Sequence, residues 1–115
     1  MEVRPVAYDE ALAGRIRVLL ADERGVREKK MFGGLAFLVG GNMAVAASGQ
    51  GGAMVRVDPE QGEKLVATTP AEMVVMRGRA MPGWLRIGSE HLRTKAQLAT
   101  WVRRGVDCAR AMPPK

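Results

Sequence analysis

Apolar positions in residues 9 to 22, DEALAGRIRVLLAD, recur at spacings of four, three and one, which puts Leu12, Ile16, Leu19 and Leu20 on a single stripe. The pattern predicts an amphipathic helix. Asp9 is placed to accept from first-turn amides that lack helical partners, and Gly25 follows the helix as a stop. From Arg27 the period becomes extended. LAFLV (35 to 39) and MAVAA (43 to 47) flank Gly40, Gly41 and Asn42, residues that tolerate positive φ, and predict a hairpin with a three-residue or tightened loop. AMVRV (53 to 57) follows SGQGG, so the stretch from about 28 to 57 reads as a meander.

A helical period returns at Asp58, a cap followed by Pro59 at the first helical position and Glu60 in the positive first turn. EMVVMRG (72 to 78) and WLRIG (84 to 88) predict strands around RAMPG, where Pro82 and Gly83 suit the centre of a type II turn. The last helix starts at Thr94, which forms a capping box with Gln97. It carries the stripe Leu98, Trp101, Val102, Gly105, Val106 and Ala109 and ends before Pro113. The predicted order is helix, three strands, helix, two strands, helix. Links of hairpin length favour an α+β fold, a two-layer arrangement of a five-stranded antiparallel sheet with helices packed on it.

The stretch KKMFGGLAFLVGGNMAV, with its two glycine pairs, invites a phosphate-loop reading. A loop of that kind needs a helix after it, so that backbone N–H groups converge on the anion, and usually a Lys followed by Ser or Thr. Here strands follow, and neither residue stands in the required place. The glycines are read instead as strand bends and turn positions.

Side-chain parity places Leu35, Phe37 and Val39 on one face and Ala36 and Leu38 on the other, with Val45 and Ala47 opposed to Ala44 and Ala46. Neither face is polar. The face of Ala36, Leu38, Ala44 and Ala46 is therefore expected to be covered, either by a homodimer or protein-partner contact or by a helix of the same chain.

At 115 residues, 47% hydrophobic and 26% charged, the chain is expected to form one domain with its core over about 9 to 110. No apolar run has the length of a membrane helix, and MEVRPVAYDE lacks the plan of a signal peptide, so a cytoplasmic location without a membrane partner is expected. Cys108 and His91 are the chain's one cysteine and one histidine, too few for a structural zinc site and for any intramolecular disulfide. His91, within GSEHLRT, reads as a surface-loop residue and Cys108 as half-buried packing. No catalytic, cofactor-binding or metal-ligating residue is assigned, and no enzyme activity or cofactor is expected. The net charge of +6 favours polyanions or acidic partners. Arg77, Arg79 and Arg86, with Trp84 among them, are candidate anion or partner contacts. The eight methionines suit either an adaptable partner surface or the core.

MFGGLAFLVGGNMAV, then MVRV, then MRGRAMPGWLRI and a Trp-bearing closing helix, resemble the N-terminal domain of the TfoX/Sxy family, regulators linked to natural competence in some bacteria. The resemblance rests on Phe32, Gly33, Gly34, Gly41, Asn42 and Met43, and on Met76, Gly78, Arg79, Met81, Gly83 and Trp84. It implies a two-layer α+β fold similar to bacterial secretion chaperones, without catalytic residues, metal or cofactor. Longer members carry a second, helical domain to which nucleic-acid contact is ascribed, so this chain is expected to be a stand-alone module. The implied function is a non-enzymatic regulatory or adaptor module, acting by protein association in transcription or competence regulation. The alternative is a nucleic-acid-binding auxiliary domain that uses the basic surface.

Overall fold

The computed structural model describes residues 8–31 and 33–115; Phe32, a motif position, lies outside the described residues. Helix α1 (Glu10–Leu19) begins where Asp9 Oδ1 accepts from Leu12 N at 3.0 Å. Four strands follow: β1 (Val26–Met31), β2 (Gly34–Val39), β3 (Asn42–Ala47) and β4 (Ala53–Arg56). Helix α2 (Pro59–Thr68) is capped by Asp58, and after it come β5 (Glu72–Met76) and β6 (Arg79–Ile87). A 3-10 turn at Ser89–His91 leads to α3 (Lys95–Ala111), whose capping box of Thr94 and Gln97 is fully formed. The strands make one antiparallel sheet in the order β1-β2-β3-β4-β6-β5.

That sheet has six strands where five were expected. The extra one is β1, VREKKM, whose four central residues are all charged and exposed. An edge strand that carries charge is protected from pairing with other chains, and the same charge erases the apolar alternation by which strands are recognised. α1 tethers β1 through a two-pronged contact, with Arg17 Nε 2.6 Å from Glu28 Oε2 and Nη2 2.7 Å from Oε1. The hydrogen bond from Arg17 holds the Glu28 carboxyl below its usual range.

Turns and bulges account for the other differences. The β2–β3 loop has only two residues, Gly40 and Gly41, at φ 60 and 84, with Val39 and Asn42 paired around them. Positive φ at both positions suits the twist of a tight hairpin. The β5–β6 turn is Arg77–Gly78, not RAMPG, and Arg77 at φ 51 is the one non-glycine residue with positive φ among the described residues. Pro82 and Gly83 lie instead within β6. Between the pairs Met73–Leu85 and Val75–Ala80, β5 has the single residue Val74 while β6 has Met81 to Trp84. This bulge admits a proline that a regular ladder would exclude. Gly83 O accepts from Val57 N at 2.8 Å, so the bulge also fastens the end of β4.

A second bulge lies in β3. Phe37 pairs with Val45 and Leu38 with Met43, which leaves Ala44 unpaired between them. Ala44, expected on the second face beside Ala46, is therefore turned toward the helices and is fully buried there. Met43 takes the second-face position. Parity alone cannot foresee this, because one extra residue shifts the alternation beyond it.

The main core lies between the sheet and all three helices, with Leu12 and Ile16 of α1, Leu65 of α2, and Leu98, Trp101 and Val106 of α3 packed on Phe37, Val45, Val55, Leu85 and Ile87. α3 sits close to β3: a Cβ added at Gly105 would lie 2.2 Å from the Ala44 carbonyl oxygen. Gly34 likewise passes so close to the end of β3 that a Cβ there would lie 2.1 Å from Ala47 O. The first glycine pair thus leads into a strand: Gly33 takes positive φ, at 73, and Gly34 allows the backbone approach.

Gly34→Val and Gly41→Val should each cost about 2 kcal/mol or more, the first by a backbone clash and the second by positive φ. Lys29→Val, at an exposed strand centre, should stay within about 0.5 kcal/mol of the parent. Thermal melts of the three variants check this, and an unchanged midpoint for either glycine variant contradicts the role assigned to it.

Candidate interaction surface

Residues directly opposite in an antiparallel pair share a face, so the register defines the side of the sheet away from the helices. Ala36 faces Lys29 of β1 and Ala46 of β3, Leu38 faces Arg27 and Met43, and Ala46 faces Met54. Further across, Met54 faces Arg86, Arg56 faces Trp84, and Met76 faces Arg79. Ala36, Met43, Ala46, Met54 and Val74 form a second apolar cluster, with Met31, Leu38, Met76, Met81 and Trp84 half-buried around it. All six strands contribute. Among the described residues, no helix contributes to it.

The cluster is dry at its floor even though no helix lies over it. Ala36 is 0%, Val74 2% and Met54 6% exposed. Five methionines, unbranched and adaptable, belong to the same cluster as the alanines. Little open space remains, since the cavity lined by Ser48, Gln50, Met54, Val74, Val75, Met76 and Arg86 holds about 50 Å³.

Among the described residues, charge on this face is one-sided. Arg27, Lys29, Arg56, Arg79 and Arg86 of its strands share it with one strand acid, Glu72, which stands opposite Arg86. Ion pairs among the described residues join Arg17 to Glu28, Arg103 to Glu23 and Asp107, and Arg110 to Glu23, and all of these belong to the helix side or its loops. None includes a basic residue of the open face. Arg86 donates to Gln50 Oε1, and the Arg56 guanidinium lies 4.8 Å from the centre of the Trp84 ring.

The sequence-predicted residues are thus partly united. Ala36, Leu38, Ala46, Arg79, Arg86 and Trp84 meet on the open face, whereas Ala44 lies beneath α3 and Arg77 occupies the exposed β5–β6 turn. Sequence reasoning missed Arg27, Lys29 and Arg56. The alternation of Arg27, Lys29 and Met31 carries the signal for β1, but only once that segment is taken as a strand.

Gly41 and Asn42 serve the other end of the molecule. Asn42 is buried, and its Nδ2 donates to Ala109 O at 3.3 Å and to Pro113 O at 2.9 Å, while Lys115 N donates to Gly40 O at 2.8 Å. The hairpin turn therefore holds the C-terminal end of α3, where carbonyls lack helical partners. Cys108 lines a cleft of about 410 Å³ with Arg56, Asp58, Gln61, Arg104, Asp107 and Met112. Burial pushes its thiol up, away from the thiolate that nucleophilic chemistry needs. His91 sits in the 3-10 turn. Among the described residues, no three His, Cys, Asp or Glu side chains group to hold a metal ion, and no helix is long and apolar enough to cross a membrane.

The class defined by this geometry is a two-layer α+β module with three helices on one side of an antiparallel sheet and a methionine-lined face on the other. The TfoX N-terminal domain family matches residues 18–109, and the chain belongs to that family. No match is found among curated proteins.

Asn42→Ala should destabilise the fold by about 1–3 kcal/mol, because buried carbonyls lose their donor. Asn42→Asp should cost more near neutral pH, where a carboxylate faces carbonyl oxygens, and the difference should shrink as pH falls and the raised carboxyl regains its proton. Denaturant unfolding at several pH values checks both; equal costs for Asp and Ala at every pH contradict the contact.

Proposed function

We propose that the chain is a non-catalytic regulatory or adaptor module that works by protein association through the open sheet face, in the setting of transcription or competence regulation. The observation that carries this reading is the second apolar cluster, drawn from all six strands and covered by no helix of the described residues. Contiguous apolar surface with a polar border is the usual mark of a protein contact. A two-layer plan, of the sort for which the sequence suggested a likeness to secretion chaperones, leaves one sheet face for another protein or a second copy. In this reading the module works in the cytoplasm, where its one cysteine stays a thiol. The alternative, an auxiliary nucleic-acid contact, draws on the basic residues of the same face; it requires log affinity to fall with log salt at a slope of about −0.9 per neutralised phosphate.

Leu38→Glu with Met81→Glu puts two acids into the half-buried border of the cluster. Light scattering over a range of concentrations, together with capture of partners from host extract with and without nuclease, should show an assembly that resists nuclease and is lost in the variant at unchanged circular dichroism. A strictly monomeric wild-type protein whose captured set is the same in the variant overturns the reading. Loss on nuclease treatment favours the alternative.

A further inference from the structure

On the open face, β2 and β3 carry a floor of Ala36, Leu38, Met43 and Ala46 between two basic banks, Arg27 and Lys29 of β1 on one side and Arg79 and Arg86 of β6 on the other. We propose that the occupant of this face is a segment of another protein in which acidic side chains alternate with large apolar ones. The proposal rests on the association reading above and specifies its partner. The apolar side chains would enter among the methionines, whose unbranched chains repack around different shapes at small cost. The carboxylates would meet the guanidinium groups, which suit planar two-point contact with a carboxylate.

Two other occupants fit less well. A second copy seated through a two-fold axis presents the same surface to itself, so Arg27, Lys29, Arg56, Arg79 and Arg86 would face their own duplicates with, among the described strand residues, only Glu72 to offset them. Like charges brought together at a contact oppose it. A single-stranded nucleic acid needs aromatic platforms. Among the described residues Trp84 is the aromatic member of this cluster, and Arg56 already lies over its ring. The ion pairs on the helix side sharpen the contrast: acids there are used within the fold, while the cations of the open face have no carboxylate partner among the described residues.

Methionine methyl labelling tests the proposal directly. Met31, Met43, Met54, Met76 and Met81 report on the open face, and Met112, in the cleft beside Cys108, serves as the internal control. A short soluble peptide alternating leucine and glutamate should shift the five methyl signals and leave Met112 in place. Replacing glutamate by glutamine in the peptide, or making Arg27→Glu with Arg86→Glu in the protein, should each weaken binding by about tenfold or more as the rim attractions are removed. The doubly reversed protein should instead accept a leucine–lysine peptide.

Equal binding of the glutamine peptide overturns the acidic partner and leaves the association reading standing. A dimer whose interface shifts the same five methyl signals also overturns it, in favour of a second copy. Preferential binding of oligo-dT to these methionines, with a steep salt slope, overturns it in favour of nucleic acid. If no probe moves the five signals and the Leu38→Glu, Met81→Glu variant still captures the wild-type set from extract, the association reading falls with it.

Discussion

The seating of α3 on β3 is the contact on which the rest of the structure depends. Gly105 lets the helix come down until only a hydrogen fits above the Ala44 carbonyl oxygen. That approach requires a small residue on the strand and none on the helix, and the bulge at Ala44 supplies the first by turning an extra residue toward the helix layer. The same extra residue rotates Met43 to the opposite face, where it joins Ala36, Ala46 and Met54. One insertion in the pairing therefore shapes both apolar clusters. Because interiors are close-packed, neither side can be altered without the other sensing it.

The ends of this contact are fixed by the glycine-rich hairpin. Asn42 starts β3 and donates to two carbonyls at the end of α3, so one residue ties the beginning of the strand to the end of the helix. Gly40 and Gly41 bend the backbone sharply enough to bring Asn42 there, and Gly40 itself accepts from Lys115. What looks in sequence like a phosphate loop is a clamp for a helix C-terminus. The resemblance is natural, since both tasks require polar groups of a tight turn to meet the unsatisfied end of a helix. They differ in sign: here the partners are carbonyls, and the turn provides donors through an amide side chain.

Much of this was legible in the sequence. Asp9, Asp58 with Pro59, and Thr94 with Gln97 cap helices where their chemistry says they should, and all six residues of the α3 stripe are buried. Caps and stripes are local, so sequence carries them. The misreadings share a different physical origin. β1 is an edge strand whose charged residues suppress the alternation that marks strands. The β5–β6 turn uses Arg77, a residue that resists positive φ, while Pro82 and Gly83, the better turn formers, are absorbed into a bulge. Ala44 follows the rule of alternation until pairing with β2 breaks it. In each case a long-range partner overrides a local preference, and only the assembled sheet reveals which partner that is.

The open face combines two properties, a buried apolar floor and a set of cations that form no ion pair among the described residues. Methionine suits the first, because its unbranched side chains pack among the alanines, and the cavity beside Met54, Val74 and Met76 holds only about 50 Å³. A rigid groove would expose its apolar lining whenever empty, whereas unbranched methionines could repack over it as a lid. The cost is affinity, since the lid must be ordered anew around each occupant. In the proposed reading, charge would offset that cost by drawing an acidic segment toward the face before any apolar contact forms. If the proposal holds, the basic rim would set which segments arrive and the methionines how many shapes are accepted. An interaction surface built this way would select its partner by charge pattern more than by shape.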